Sequence, residues 1–277
     1  MATLLCPVRG CGEPLVRGER AYGCPRGHSF DIARSGYCNL LQPQDRRSKA
    51  PGDSKQAVLA RRRFLEAEHG DLLLNAVREA LPDRPAVLDI GCGEGFHLGS
   101  LAAERPMEAH GIDISTFAID LAARRWPDAR WFVVNADRVL PYADASFDFV
   151  LSLTARRNAP EVRRVLRPEG RLIVAVPGED DLIEAREAVL GERVLRNRVA
   201  SVLADFASHF EVESRRTLRR TARLSAAEIR DALAATYRGA RESERRRLGD
   251  LDAMDVTQSF DLLVFKPRLL TNESPDP

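Results

Sequence analysis

The chain has few cysteines, no long apolar run and almost no net charge, and each shortage excludes a class of protein. Five cysteines in 277 residues, four of them within the first 38, are too few and too unevenly spread for a disulfide framework. No apolar run approaches the roughly 18 residues of a membrane span, so no membrane association is expected. The opening Met1-Ala2-Thr3-Leu4-Leu5-Cys6 lacks a basic stretch followed by an apolar core, so a secretory leader is not expected either. These shortages together predict a cytoplasmic protein, whose reduced thiols can hold metal. No internal repeat is visible.

The net charge is +1 with 30% charged residues, so total charge argues neither for nor against nucleic acid. Its distribution says more. Arg46, Arg47, Lys49, Lys55, Arg61, Arg62 and Arg63 face a single Asp53 in that stretch. Arg215, Arg216, Arg219, Arg220 and Arg223 form a second cluster and Arg245–Arg247 a third. An apolar content of 44% allows a sizeable core, and the length suits one large α/β domain plus a small module.

Residues 1–45 are rich in Gly, Pro, Cys and short polar turns, with little apolar periodicity. Such a segment needs a metal as a staple. Residues 46–80 read as a basic linker and helix. Pro51-Gly52-Asp53-Ser54 marks a turn, Asp53 or Ser54 can cap, and the helix runs from Lys55 past a weak point at Gly70 to Leu81. From residue 81 to 277 short apolar runs alternate with helical patterns. Strands are expected at 86–90, 109–114, 130–134, 147–153 and 171–176, and helices at 96–104, 116–125 and 160–166. That alternation predicts an α/β fold with a parallel sheet covered on both faces. A helix over 180–190, a strand over 210–218, a helix over 225–236 capped by Ser225 and a final strand over 256–266 complete the domain. Residues 272–277 read as a frayed tail.

Cys6-x4-Cys11 and Cys24-x3-His28, twelve residues apart, supply three thiolates and an imidazole. That is a closed tetrahedral set suited to structural zinc, with Gly10, Gly12, Gly23 and Gly27 beside the ligands where the backbone must turn. Cys38 is a candidate fifth ligand, with a buried free thiol the simpler expectation.

Asp89-Ile90-Gly91-Cys92-Gly93-Glu94-Gly95 follows a strand and opens a helix, where glycines let backbone approach a ligand and a helix N-terminus offers free N–H groups. NAD enzymes share such a turn. Here Asp89 precedes it and Glu94 lies within it, where a pyrophosphate would be repelled. S-adenosylmethionine carries a sulfonium and an ammonium and no phosphate, so acidic groups suit it. Asp113, followed by Ile114, ends the next strand 24 residues on and can accept from ribose hydroxyls. Asn135-Ala136-Asp137 follows the third strand and would flank adenine. Cys92 is read as a small space-filler.

These stretches resemble the large-subunit rRNA guanine-N1 methyltransferases, including those of the macrolide-resistance type. The resemblance rests on Cys6-Pro7 through His28-Ser29-Phe30-Asp31, on Ile32-Ala33-Arg34-Ser35-Gly36-Tyr37-Cys38-Asn39-Leu40-Leu41, and on Pro51-Gly52-Asp53-Ser54 with Ala60-Arg61-Arg62-Arg63-Phe64-Leu65. The cofactor motif then follows in order, and Val256-Thr257-Gln258-Ser259-Phe260-Asp261 matches the family's last strand. It implies a Rossmann-like class I methyltransferase domain with a small N-terminal zinc-binding domain that helps recognise an RNA hairpin, often in a homodimer. It also implies methylation of one guanine at N1 in 23S rRNA. Two stretches depart from the family pattern. Thr154-Ala155-Arg156-Arg157-Asn158 stands where an aromatic-Ala-Pro or Phe-x-Pro run is usual, and Ala235-Thr236-Tyr237-Arg238 where Met-Thr-Pro or Met-Gly-Pro is common. Both lie where the target base should sit.

Guanine N1 is protonated at neutral pH and lies on the pairing edge, so the base must be unpaired or flipped, its proton must leave, and positioning carries much of the rate. No residue declares itself as the base: Asp148 and Arg156 are the catalytic candidates, Asp148 with a structural role the simpler expectation and Arg156 as a stabiliser of the guanine anion. Arg46, Arg47, Lys49, Lys55, Arg61 and Arg62 are the candidate RNA contacts. Other readings stay open: a small-molecule or protein methyltransferase with a purely structural zinc, and a zinc-containing RNA-binding protein whose transferase site has decayed.

Overall fold

The short apolar runs bounded by turn residues become strands, buried throughout at Ala86–Ile90, and the amphipathic runs between them become their crossovers. In the computed structural model, residues 1–46, 51–191, 193–236 and 253–268 are described. The N-terminal segment forms a small antiparallel sheet, β1 (Val16–Arg17), β2 (Ala21–Gly23) and β3 (Ser29–Asp31), followed by β4 (Cys38–Asn39). Next come α1 (Lys55–Phe64), a π-helical turn (Leu65–His69) and α2 (Asp71–Ala80). The core order is β5 (Ala86–Ile90), α3 (Phe96–Glu104), β6 (Glu108–Asp113), α4 (Thr116–Arg125), β7 (Arg130–Val133), β8 (Phe147–Leu153), α5 (Ala159–Val165) and β9 (Leu166–Pro177). The chain then gives α6 (Ile183–Leu190), α7 (Val199–Phe206), β10 (Phe210–Leu224), α8 (Ala226–Thr236) and β11 (Met254–Pro267).

The large sheet runs β10-β11-β9-β8-β5-β6-β7-β4. From β4 to β9 neighbours are parallel, while β11 is antiparallel to both β9 and β10. Parallel neighbours need crossovers, which α3, α4 and α5 provide. From β5 the chain winds outward through β6 to β7, then returns to β8 and winds the other way. The strand order therefore reverses between β5 and β8, and a crevice opens beyond their carboxyl ends.

Residues 1–45 are joined to this sheet. β4 pairs with β7, Cys38 opposite Phe132, and the Leu5 amide donates to the Pro141 carbonyl at 2.9 Å. Leu4, Cys6, Tyr22 and Cys24 share one buried cluster with Leu88, Ile90, Phe132 and Tyr142. Side-chain oxygens start α1, α4 and α8. Ser54 rather than Asp53 caps α1, accepting from the Ala57 amide at 3.2 Å. Ser225 and Glu228 form a reciprocal box at the start of α8. The break in the helical hairpin spans the π-turn, where Glu68 takes φ +64°, and ends at Gly70. A Cβ there would stand 2.4 Å from the Phe96 ring.

Several elements differ from the sequence expectation, among them β9, which begins at Leu166 rather than 171 because Leu166 pairs with Phe147. α7 was not expected, because its buried face of Val199, Val202 and Phe206 is a single short stripe. It packs on Phe210 and Phe265. β10 runs to Leu224 because β11 pairs with it along its whole length. Residues 180–182 do not begin α6. The Ser259 hydroxyl and amide donate to the carboxylates of Asp180 and Asp181, at 2.6 and 3.0 Å, and hold them in a turn. The expected tail at 272–277, Arg245–Arg247 and the residues Tyr237-Arg238 lie outside the described residues. Among the described residues no helix is long and apolar enough to cross a membrane.

Candidate active site and metal centre

The glycine turn leaves β5 and is pinned to its neighbour. The amides of Gly91 and Cys92 both donate to the Ile112 carbonyl, at 2.8 and 3.1 Å. Asp113 then ties two loops together, accepting from the Gly93 amide at 3.1 Å and the Ser115 amide at 2.7 Å. Gly91 takes φ +71°, and a Cβ there would lie 2.6 Å from that of Ala155 in the loop after β8. Only glycine serves both demands.

Above this turn lies a cavity of about 550 Å³. Asp89, Gly91, Gly93 and Glu94 line it from β5 and its turn, and Asp113 and Ile114 from the end of β6. Asn135, Ala136 and Asp137 line it from the end of β7, and Leu153 to Arg156 from the end of β8. Of the residues expected at a cofactor, Gly95 alone does not line the cavity. It is left-handed at φ +81° and packed so that a Cβ would meet Trp131 at 2.6 Å and Ala122 at 2.9 Å. Its glycine serves packing.

The cavity is acidic and short of positive charge. Burial, then Asp113 and Glu94, push the Asp89 carboxyl up to about 8. Burial likewise raises Glu94 and Asp113. Buried Oε2 of Glu94 has no partner, nor has Nε2 of His97, whose imidazole burial and Arg61 hold down at about 4. Three crowded carboxyls with an unpartnered oxygen fit a ligand that carries cations, as the sulfonium and ammonium of S-adenosylmethionine do, and disfavour a pyrophosphate.

The basic segment divides differently from the sequence expectation. Pro51, Gly52, Asp53, Val58, Arg61 and Leu65 line the cofactor cavity. Val58, Arg61 and Leu65 stand at i, i+3 and i+7, one face of α1 continued into the π-turn. That spacing was legible, but an arginine in an apolar stripe reads equally as a solvated charge. Arg61 therefore faces the cavity instead of a phosphate surface, with Nη2 donating to Asp53 at 2.7 Å. Arg62 pairs with Glu66 at 2.7 Å, a carboxylate that Arg125 also engages. Lys55 is exposed, its ammonium 5.3 Å from the centre of the Phe117 ring. Arg46 is exposed, while Arg47 and Lys49 lie outside the described residues.

The two catalytic candidates separate as well. Asp148 is the second residue of β8, at the end remote from the cavity. It accepts from the Ala86 amide at 2.8 Å and pairs with Arg167. It is a strand-tethering group, which is the structural role expected of it, and the catalytic alternative for Asp148 is set aside. Arg156 does line the cavity, 70% exposed, with Nε 4.0 Å from Asp137. Its loop is held by Asn158, whose amide donates to the carbonyls of Ala136 and Arg138 at 2.9 and 3.0 Å.

The metal ligands expected from spacing converge. The donor atoms of Cys6, Cys11, Cys24 and His28 all lie within 4.8 Å of one another. His28 Nδ1 is 3.4 Å from both Cys6 Sγ and Cys24 Sγ, and Cys11 Sγ is 3.9 Å from Cys24 Sγ. Tetrahedral zinc requires S···S edges of about 3.8 Å and S···N edges of about 3.5 Å, from metal–ligand bonds of roughly 2.3 and 2.0 Å. These three separations lie close to those edges. Cys38 is outside the cluster: its thiol is buried, pushed up to about 12 by that burial, and faces the Phe30 carbonyl at 3.7 Å.

Comparison with known proteins gives independent results. Residues 4–49 match the zinc-ribbon family described as "RlmA, N-terminal", and residues 87–170 match the family described as "Methyltransferase domain". A 23S rRNA (guanine(748)-N(1))-methyltransferase of Streptomyces fradiae is 34% identical over 277 residues, covering 95% of this chain and 96% of that one. A Micromonospora griseorubida protein provisionally assigned as a 23S rRNA (guanine-N(1)-)-methyltransferase is 36% identical over 251 residues, covering 82% of this chain and 83% of that one. Among solved structures, the YcgJ protein from Bacillus subtilis superposes with a TM-score of 0.51 at 15% identity, covering 71% of this chain and 98% of that one. At that identity the likeness shows the fold alone.

Proposed function

This chain belongs to the family of 23S rRNA (guanine-N1) methyltransferases, and from that premise we propose how its own residues serve the reaction. It is an S-adenosylmethionine-dependent enzyme that methylates guanine N1 in 23S rRNA, and it carries a zinc ribbon. The observation that carries the reading is the acidic cavity at the strand-order reversal, in a chain whose N-terminal segment gathers three cysteines and a histidine.

Bound S-adenosylmethionine supplies an electrophilic methyl group on a positively charged sulfur. Asp89 and Glu94 face that charge, Asp113 accepts from the ribose, and the Asn135–Asp137 stretch flanks adenine. Cys6, Cys11, Cys24 and His28 hold zinc, and residues 1–45 grip an RNA hairpin whose loop offers an unpaired guanine. The guanine enters beside the loop after β8. There the exposed Arg156 guanidinium stabilises negative charge on the base as its N1 proton leaves. The same chemistry favours a compartment that contains ribosomes, hence the cytoplasm, and a homodimer would place two such clefts around RNA. The decayed-site alternative is disfavoured by the intact acidic cavity, and the small-molecule alternative by the ribbon.

The decisive experiment is mass mapping of 23S rRNA from cells with and without the gene. One N1-methylguanine should appear only with it, position 748 being the first to inspect. Unchanged methylation, with purified protein also inert on rRNA, would overturn the reading.

RNA affinity should also fall as salt rises. Replacing Arg46, Arg47 and Lys49 with Ala should reduce the slope of log affinity against log salt by up to roughly two to three, because fewer counterions are released. In sequence this segment precedes the first strand of the large domain and lies outside the glycine turn. The Asp45 carbonyl, however, accepts from Asn135 at 2.9 Å and Pro51–Asp53 line the cavity. Cofactor affinity is therefore measured alongside. An unchanged slope would move the RNA surface to the arginines of β10.

A further inference from the structure

We propose that Arg61 is the clamp for the cofactor's carboxylate, receiving the α-carboxylate of the amino-acid tail of S-adenosylmethionine while Asp89 and Glu94 face its cationic atoms. This rests on the cofactor reading above and deepens it. The tail is a zwitterion attached to a sulfonium, so its site must offer opposite charges in two places. The acidic place is built by the glycine turn. A basic place must lie near it.

Among the described residues lining the cavity, the cationic side chains are Arg61 and Arg156, since His97 is neutral. Arg156 is 70% exposed and stands beside Asp137, at the adenine and target-base end. Arg61 is 31% exposed and comes from α1. Its Nη1 lies 3.7 Å from where a Gly93 Cβ would be, directly over the turn. Its charge favours ionisation of Glu94 and Asp113 and opposes protonation of His97, so it shares their enclosure.

The side chain is already aimed. Both its protein partners use Nη2, the Asp53 carboxylate at 2.7 Å and the Ala235 carbonyl at 3.2 Å. Nη1 is the atom turned toward the glycine turn. A guanidinium held at one nitrogen presents the rest of its planar fork without further ordering, the arrangement that suits a carboxylate. The Ala235 carbonyl belongs to the last turn of α8, so the clamp also links the cofactor wall to the C-terminal helix.

Calorimetry on the full-length protein separates this from a purely structural role. The probes are S-adenosylmethionine and its decarboxylated form, which keeps the sulfonium and the amine and lacks only the carboxylate. The wild type should prefer the intact cofactor by roughly ten- to a hundredfold. Arg61→Gln should lose that factor for the intact cofactor, leave the decarboxylated form almost unaffected, and so abolish the preference. Arg61→Lys, which keeps the charge without the fork, should retain part of it, and serves as the test if the Gln variant does not fold. Equal weakening of both ligands, or an undiminished preference, overturns the assignment. Failure of the wild type to bind either ligand overturns the cofactor reading itself.

Discussion

Cys24→Ser protein should lose the zinc that the wild type retains, close to one ion per chain, after washing with chelator. Cys24 is buried and sits at the centre of the cluster, within 3.4 Å of His28 Nδ1 and 3.9 Å of Cys11 Sγ. Replacing its thiolate removes one of four ligands and leaves two buried or half-buried thiols without a counter-charge. Metal binding and folding are one free energy in such modules, about 10–16 kcal/mol for isolated zinc fingers. Here the sheet supports part of the segment, so a loss of several kcal/mol is expected, on the order of 10 °C or more in melting temperature for a domain of this size. Amide exchange should locate the damage. Residues 1–45 should lose protection first, followed by β7 and Tyr142, which they touch. Strand β5 should remain protected. Full zinc occupancy in the mutant would remove Cys24 from the ligand set.

Cofactor affinity should climb steeply with pH from 6 to 8.5. The cavity holds the Asp89 carboxyl at about 8, because burial and the neighbouring Asp113 and Glu94 oppose its ionisation. A cationic ligand favours the ionised form, so binding expels a proton. Affinity then rises by up to roughly tenfold per pH unit below 8 and levels above it. The ligand-free protein behaves in the opposite sense. An unfolded aspartate loses its proton near 4, whereas the native one keeps it until about 8. The native state thus holds the extra proton between those values, and the stability from this group, complete below about 4, is lost as pH rises toward 8. The thermal shift produced by S-adenosylmethionine should accordingly grow with pH. Asp89→Asn should bind weakly at every pH and show no slope. A wild-type affinity flat across this range would sink the assignment of Asp89 to the cofactor's charge.

Much of this site was legible because its signals are local. The strand-turn-helix from Ala86 to Glu104 appears with the expected bounds. Four apolar residues around Asp89, three glycines and an amphipathic run each constrain a few φ and ψ angles within one short window. The zinc ligands were legible for the same reason, since two close pairs separated by turn residues have few other uses. Asp148 kept a catalytic alternative beside its structural reading although a signal against it existed. It opens the strand whose far end, at Leu153, carries the site, so strand direction alone would have set it aside.

The amino-acid sequence by itself determined the cysteine and histidine set that converges in the N-terminal segment, the glycine turn, the ordered acidic residues at successive strand ends and the family to which they belong. Tertiary structure decided which basic residues face which partner. Arg61, Arg62 and Arg63 are adjacent in sequence, yet one lines the cofactor cavity, one pairs with Glu66, and one grips Asp231 on α8. A helix turns each successive side chain by about 100°. Their fates therefore depend on what packs around α1, and its neighbours α8 and the glycine turn come from distant parts of the chain. The same holds for residues 1–45, whose union with the sheet through β4 and β7 joins positions about ninety residues apart. Composition and spacing act within short windows, whereas the side that a charge faces is fixed only when distant segments close over it.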